Sequence, residues 1–323
     1  MDVSPAPDLF APGAVSEARI EELFCAEPIW LLRVARLTAE CGRPPVAPVT
    51  VLARRAAQAT PLGAEARVEL EAMLLGPHPD IALQWLHDAG LLARLLPELE
   101  ATVDFTQEAE RKHKDVWMHT KQVVRQSAAR AAVRWAALLH DVGKGPTRTF
   151  TPEGKVHFHR HAEVGARMFD AVGRRLSFER PMRQKIRFLV LHHLRANQYA
   201  RGWTDSAVRR FDRETGEHLV DLLDLSRADI TSKRDERRRE AWRNTDDLQA
   251  RILALREEDA RQPPLPAGIG DAMMARYAQP AGRWIGDLKR AMEAAIEAGE
   301  IEARRDAEYY LAWLEAKSLA PRE

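Results

Sequence analysis

The sequence predicts an all-α protein, and three observations carry that prediction. Apolar residues recur at helical spacing in nearly every segment from Ser16 to Leu314, and the breaks between segments are Gly/Pro clusters. No segment keeps the strict alternation of a strand; the one short candidate, Val156-His-Phe-His-Arg-His161, reads equally as a loop. Hydrophobic residues make up 45% of the 323 positions and charged ones 30%, a balance that gives many helices a core to bury.

In chain order, residues 1–15 are rich in proline and small residues and are expected to be a flexible leader. Ser16 can cap a helical run whose apolar face is Leu23, Phe24, Ile29, Leu31, Leu32 and Ala35, ended by Gly42-Arg-Pro-Pro45. Helices are expected over about 49–60 and 63–75, with a break at Gly76-Pro-His-Pro79. Another runs from Ile81 to Leu96, interrupted near Gly90 and closed by Pro97. Further helices fit 115–130, 132–142, 161–175, 181–194, 204–214 and 216–230. The charge-dense run Ser232–Glu240 suits a solvated face of a helix that continues to Asp259. Pro263-Pro-Leu-Pro266 reads as a linker, and helices over Ile269–Tyr277, Trp284–Ala298 and on to about Leu314 close the chain. No repeat of fixed period is present.

Length allows two or three domains or one extended body. The formal net charge is +1, so nucleic-acid binding would need a local basic patch, because no global field would steer it. Cys25 and Cys41 form no C-x-x-C, and a reducing, cytoplasmic setting is expected. No apolar run approaches a membrane span, and no signal pattern opens the chain.

Chemistry concentrates in the middle of the chain. His113, His119, His140, His157, His159, His161, His192 and His193 are eight of the 11 histidines. The stretch Ala136-Ala-Leu-Leu-His140-Asp141-Val-Gly-Lys144 buries its leucines and sends His140 and Asp141 out of a helix's last turn together. Neighbouring helical side chains diverge by about 100°, so the two cannot clamp one atom, but each can reach a metal centre beside the helix. The two oxygens of Asp141 can bridge two ions. His119, His140-Asp141, His161, His193 and Asp229 form an ordered series of N and O donors without cysteine. That set suits divalent Mn, Ni, Co, Fe, Zn or Mg. His192 should point away from His193, and His159 adjoins the site in sequence, either as a loop residue or with a direct role.

The order H, HD, H, H, D resembles the ligand series of the HD-domain metal-dependent phosphohydrolases. The resemblance implies metal ligands His119, His140, Asp141, His161, His193 and Asp229, holding two ions. Asp141 would be shared, with His119, His140 and Asp229 on one ion and His161 and His193 on the other. Asp141 and Lys144 are the candidate catalytic residues, Lys144 as a contact to a phosphate oxygen.

A narrower resemblance rests on His113-Lys-Asp-Val-Trp-Met-His-Thr120, Leu138-Leu-His-Asp-Val-Gly-Lys144, Val156-His-Phe-His-Arg-His161 and Arg227-Ala-Asp229. These are similar to the HD region of bacterial CCA-adding tRNA nucleotidyltransferases. Phe24–Leu37 and Ala82–Glu98 resemble the helical neck of those enzymes, and Pro280–Lys289 resembles their C-terminal part. The likeness covers about nine-tenths of the chain and is strongest from 105 to 235. It implies a neck-like region at 16–100, an HD domain at 101–245 and a C-terminal helical region at 246–323. Only some 20 residues stand where the family's nucleotidyltransferase head would precede the neck, so a headless relative is expected. The neck's templating motif also reads Ala26-Glu27-Pro28-Ile29-Trp30 here, and Trp30 cannot offer the donor fork of the family's arginine.

Together these readings imply a phosphatase or cyclic phosphodiesterase acting on a terminal phosphate or 2′,3′-cyclic phosphate of an RNA end or a nucleotide. RNA, tRNA included, or a nucleotide is the expected partner, and a homo-oligomer is compatible with everything above. Arg33, Arg36, Lys289 and Arg290 are candidate RNA-backbone contacts. Two rivals are an RNA-binding subunit that completes a separately encoded nucleotidyltransferase head, and a phosphohydrolase of free nucleotides.

Overall fold

Ser16 opens the first helix as its cap, its Oγ accepting from the Arg19 N–H at 3.3 Å. The run expected to continue to Gly42 is instead two helices, α1 (Glu17–Ala26) and α2 (Trp30–Cys41). Pro28 is the cause. It has no N–H to give, and it drives Glu27 out of helical geometry to φ −134°, ψ 83°. Gly42 then ends α2 in the left-handed region at φ 69°. The structure, a computed structural model, describes residues 8–103, 115–152, 156–261 and 263–319. Residues 1–7 of the expected leader and His113 lie outside the described residues.

The helices continue as α3 (Ala47–Ala56), α4 (Ala64–Leu75), α5 (Pro79–Asp88), α6 (Leu91–Leu95), α7 (Pro97–Glu100), α8 (Val116–Gln126), α9 (Ala131–Leu139) and α10 (Lys144–Thr147). After a hairpin of β1 (Arg148–Phe150) and β2 (Val156–Phe158) come α11 (His161–Arg175), α12 (Arg180–His192), α13 (Asp205–Thr215) and α14 (Leu219–Asp229). The long α15 (Asp235–Arg261) is followed by α16 (Ile269–Tyr277), α17 (Arg283–Glu297) and α18 (Ala307–Ala316). The all-α expectation therefore holds, with one small addition. Val156–Phe158 is a strand, paired antiparallel with Arg148–Phe150 in the register Arg148↔Phe158, Thr149↔His157 and Phe150↔Val156.

The chain divides into two units. Met1–Gln198 with Glu217–Thr245 form one, and Tyr199–Gly216 with Asp246–Glu323 form the other. In the first, α9 is the axis: α4, α8, α12 and α14 all pack on it. Its residues Ala132–Leu139 are all buried, as a helix that is apolar on every side requires. The one basic residue among them, Arg134, donates to the carbonyls of Ser127 and Leu74. Trp135 is fully buried, with the Phe178 ring edge-on at 5.0 Å. Asp221, also buried, receives Arg130 at 2.6 Å and Lys185 at 2.5 Å, so α14 is tied to α12 and to the start of α9.

The second unit has its own core of Leu265, Ile269, Met273, Met292, Tyr310 and Leu314. The Tyr310 hydroxyl donates toward the carbonyls of Pro264 and Glu302, which pins the 263–266 segment to α18. The run Ser232–Glu240 enters α15 with most of its side chains exposed, as its charge implies. Among the described residues no helix is long and apolar enough to cross a membrane.

Candidate metal centre

Of the helices that pack on α9, α8, α12 and α14 each bring a donor to its C-terminal end, and α11 brings one more. Asp115 caps α8 by accepting from the Trp117 N–H at 2.8 Å, which sets His119 one turn in. The α9 helix stops at Leu139, three residues short of its expected end, and His140 and Asp141 follow in the cap and turn. Gly143 explains the early stop: a Cβ there would sit 2.1 Å from the His161 carbonyl oxygen and 2.7 Å from the Gly165 nitrogen. Only glycine lets the turn lie against the first turn of α11, where His161 is the first residue. His193 directly follows α12, and Asp229 is the last residue of α14.

The six predicted ligands converge in two groups, His119–His140–Asp229 and Asp141–His161–His193. In the first, His119 Nε2 lies 3.0 Å from Asp229 Oδ1 and 3.2 Å from His140 Nε2, which is itself 3.5 Å from Asp229 Oδ1. In the second, the Nε2 atoms of His161 and His193 are 3.3 Å apart, at 3.5 and 4.0 Å from Asp141 Oδ1. The other oxygen of Asp141, Oδ2, turns to the first group, 3.2 Å from His140 Nε2 and 3.6 Å from His119 Nε2. One carboxylate thus addresses both groups, one oxygen to each. Lys144 joins them, its Nζ 2.5 Å from Asp141 Oδ2.

The imidazoles are held from behind. His140, His161 and His193 each place Nδ1 on the carbonyl three residues earlier, Ala137, Phe158 and Val190, at 2.8, 2.9 and 2.7 Å. A carbonyl only accepts, so Nδ1 carries the proton and the Nε2 lone pair faces the centre. His119 Nδ1 is 2.9 Å from the Thr231 hydroxyl. Sequence reasoning missed Thr231, and only its place two residues after Asp229 hinted at it. The carbonyl partners carry no side-chain signal at all.

Facing lone pairs near 3.2 Å repel unless a proton or a cation lies between them. In the first group of the metal-free protein a proton on His140 takes that part. Burial opposes a charge on His140, but Asp141 and Asp229 outweigh it and push its pKa up to about 10. Burial, reinforced by the His140 charge, lowers His193 to about 4. Asp141 and Asp229 are buried too, yet the histidines, with Lys144 beside Asp141, hold both carboxyls well below the usual range. Divalent ions fit this donor set: donor–donor spacings of 3.0, 3.2 and 3.5 Å match cis ligands about 2.1 Å from a shared ion. Cys25 and Cys41 are exposed and take no part.

The other residues that the sequence singled out lie outside the two groups. His192 packs its ring on Phe188 at 4.4 Å, away from the centre. His159 stacks on His157 at 5.2 Å and is exposed, so it is not among the converging donors. Arg33 and Arg36 both pair with Glu69, at 3.4 and 3.1 Å, and Arg290 pairs with Asp287, which weakens their candidacy as RNA contacts. Replacing Gly143 with alanine should push α11 back and cost about 2–3 kcal/mol. Metal uptake should fall with it, because the displaced turn carries His161 away from Asp141 and His193. Unchanged stoichiometry and melting temperature in Gly143→Ala would contradict the close approach.

The chain belongs to the HD domain family, whose profile matches residues 87–258, and so to a superfamily of metal-dependent hydrolases. A second match, described as a probable RNA and SrmB-binding site of polymerase A, covers residues 66–102. Among its relatives is the CC-adding tRNA nucleotidyltransferase of Thermus thermophilus, 32% identical over 79% of this chain and 57% of that protein. The A-adding tRNA nucleotidyltransferase of Deinococcus radiodurans is 32% identical over 76% and 57%, and the multifunctional CCA protein of Pseudomonas aeruginosa 32% over 59% and 50%. The chain therefore spans a little over half the length of these relatives. The matched share of the chain is also smaller than the nine-tenths its motifs imply.

Proposed function

We propose that this chain is a metal-dependent phosphohydrolase that removes a terminal phosphate, or opens a 2′,3′-cyclic phosphate, at an RNA end or on a nucleotide. The observation that carries the reading is the Asp141 carboxylate, with one oxygen directed to each histidine group. His119, His140 and Asp229 would hold one divalent ion and His161 and His193 the other, with Asp141 common to both. Ions bound there supply Lewis-acid activation of water and offset charge on phosphoryl oxygens.

The chain's own residues do the rest. The carbonyls of Ala137, Phe158 and Val190 hold three imidazoles in the tautomer that leaves Nε2 unprotonated. Lys144, whose side chain is largely buried beside Asp141, brings a cation to where a phosphate oxygen would lie. In the net reaction a water oxygen bonds to phosphorus, the ester P–O bond breaks and a proton passes to the departing oxygen.

The 66–102 match and the tRNA-acting relatives support RNA over other phosphate esters, and also support a second reading in which the chain holds RNA for a separate catalytic partner. Purified protein loaded in turn with Mn, Ni, Co, Fe, Zn and Mg should be given phosphomonoesters, 2′,3′-cyclic nucleotides, free nucleotides and RNA with phosphorylated 3′ ends. Release of phosphate, or opening of the cyclic ester, is the expected result and should stop with EDTA. RNA binding without turnover under every metal would favour the second reading.

A further inference from the structure

One face of the hairpin runs outward from the metal centre, and its chemistry alternates. Directly opposed residues share a face of a two-stranded ladder, as do residues two apart in one strand. The register therefore puts Arg148 and Phe158, and with them Phe150 and Val156, on one face. That face is the one turned to the centre, because Lys144 Nζ lies 5.7 Å from the Phe158 ring and 2.5 Å from Asp141 Oδ2. The Arg148 guanidinium in turn sits 4.9 Å from the Phe150 ring, and Phe150 is 58% exposed. From the carboxylate outward the order is ammonium, phenyl, guanidinium, phenyl. Thr149 and His157 occupy the opposite face, which takes the stacked His157–His159 pair out of this path.

We propose that this strip seats the end of a single-stranded RNA, with the terminal phosphate at Lys144, a neighbouring phosphate at Arg148 and a base stacked on Phe150. The inference rests on the phosphohydrolase reading and narrows its substrate class. Alternating cations and aromatic faces are what single-stranded nucleic acid uses, since every base has a face to stack and every linkage a charge to neutralise. The reach fits as well. One cross-strand step of about 5 Å and one two-residue step of about 6.6 Å separate Phe158 from Phe150, a distance a nucleotide covers and a bare phosphate ester does not.

The test uses the full chain in EDTA, where nothing is turned over, and follows the anisotropy of a short 5′-labelled oligoribonucleotide. One probe ends in adenosine 3′-phosphate and the other in an abasic residue carrying the same phosphate. Wild-type protein is expected to prefer the adenine probe about tenfold, the scale of one base–aromatic stack. In Phe150→Ala the preference should collapse to near unity, and Phe150→Trp should restore it. Arg148→Gln should reduce the salt dependence of binding by the share of about one phosphate, near 0.7 in the log–log slope. Thermal melts check that the surface variants remain folded. No base preference in the wild type, or an undiminished preference in Phe150→Ala, would overturn the proposal. Hydrolysis of RNA ends with no contribution from Phe150 would leave the enzyme reading standing and remove this one. A Phe150-dependent preference without hydrolysis of any phosphate would do the reverse.

Discussion

Asp141→Ala is expected to take away both ions and to lower phosphohydrolase turnover by at least about a thousandfold, more than the loss of any single histidine. The reason is the way its two oxygens are divided. Oδ2 faces His140 and His119, and Oδ1 faces His161 and His193, so among the described residues no other side chain serves both groups. Removing Asp229 leaves the second group whole, and removing His193 leaves the first. The folded state should survive the change, because the core around α9 is apolar and does not depend on the carboxylate. His140 loses its nearest anion, however, and should give up much of its raised basicity. Elemental analysis should show about two equivalents of metal in wild type, about one in Asp229→Ala, and less than one in Asp141→Ala. Full turnover in Asp141→Ala would mean that the measured activity belongs to another protein. Two ions retained in that variant would mean that Asp141 does not bridge.

The helix pattern and the ligand order were legible because both are written in side chains. Apolar periodicity located α2, α5, α9 and α12, and Ser16 marked the first cap. The six donors could be read because each is a His or Asp in a fixed order. What escaped lies in the backbone or in distant pairing. The break at Pro28 follows from proline's missing N–H, which an apolar face running through it disguises. The β1–β2 hairpin is only three residues on each side, too short for alternation to stand out from a loop. The end of α9 is set by how closely Gly143 approaches α11, a contact between two separate segments that is invisible in either alone. The carbonyls behind His140, His161 and His193 belong to residues of no special type. The assignment of Tyr199–Gly216 to the second unit likewise has no local signal, since it depends on which partners a helix finds after a return of the chain.

A divalent ion bound as proposed would compete with the proton for the same nitrogen, and the metal-free and loaded forms should then differ in their pH dependence. In EDTA, His140 holds a proton up to about pH 10 in the folded state, against an ordinary value near 6.5 in the unfolded chain. Its raised pKa therefore contributes stability that is complete below about pH 6.5 and is lost as pH climbs through 10. His193 works the other way. Its pKa of about 4 means that stability drains as pH falls from about 6.5, and protonation of Asp141 and Asp229 removes more in stronger acid. The metal-free protein should accordingly melt highest near pH 6.5 and lower on either side. An ion held by the His119–His140–Asp229 group would take the place of that proton, so the loaded protein should not share the alkaline fall. At about a hundredfold excess over its dissociation constant each ion adds about 2.7 kcal/mol, or roughly 5–10 °C for a unit of this size. The gap between loaded and metal-free melting temperatures should widen from pH 6.5 to 9 and close in acid as protons displace the ions. Melting curves with and without EDTA across that range measure it directly. In His140→Gln the metal-free protein should lose its alkaline slope. A slope that persisted in that variant would place the titrating group elsewhere, and a gap that stayed constant from pH 6.5 to 9 would mean that no ion takes the place of the His140 proton.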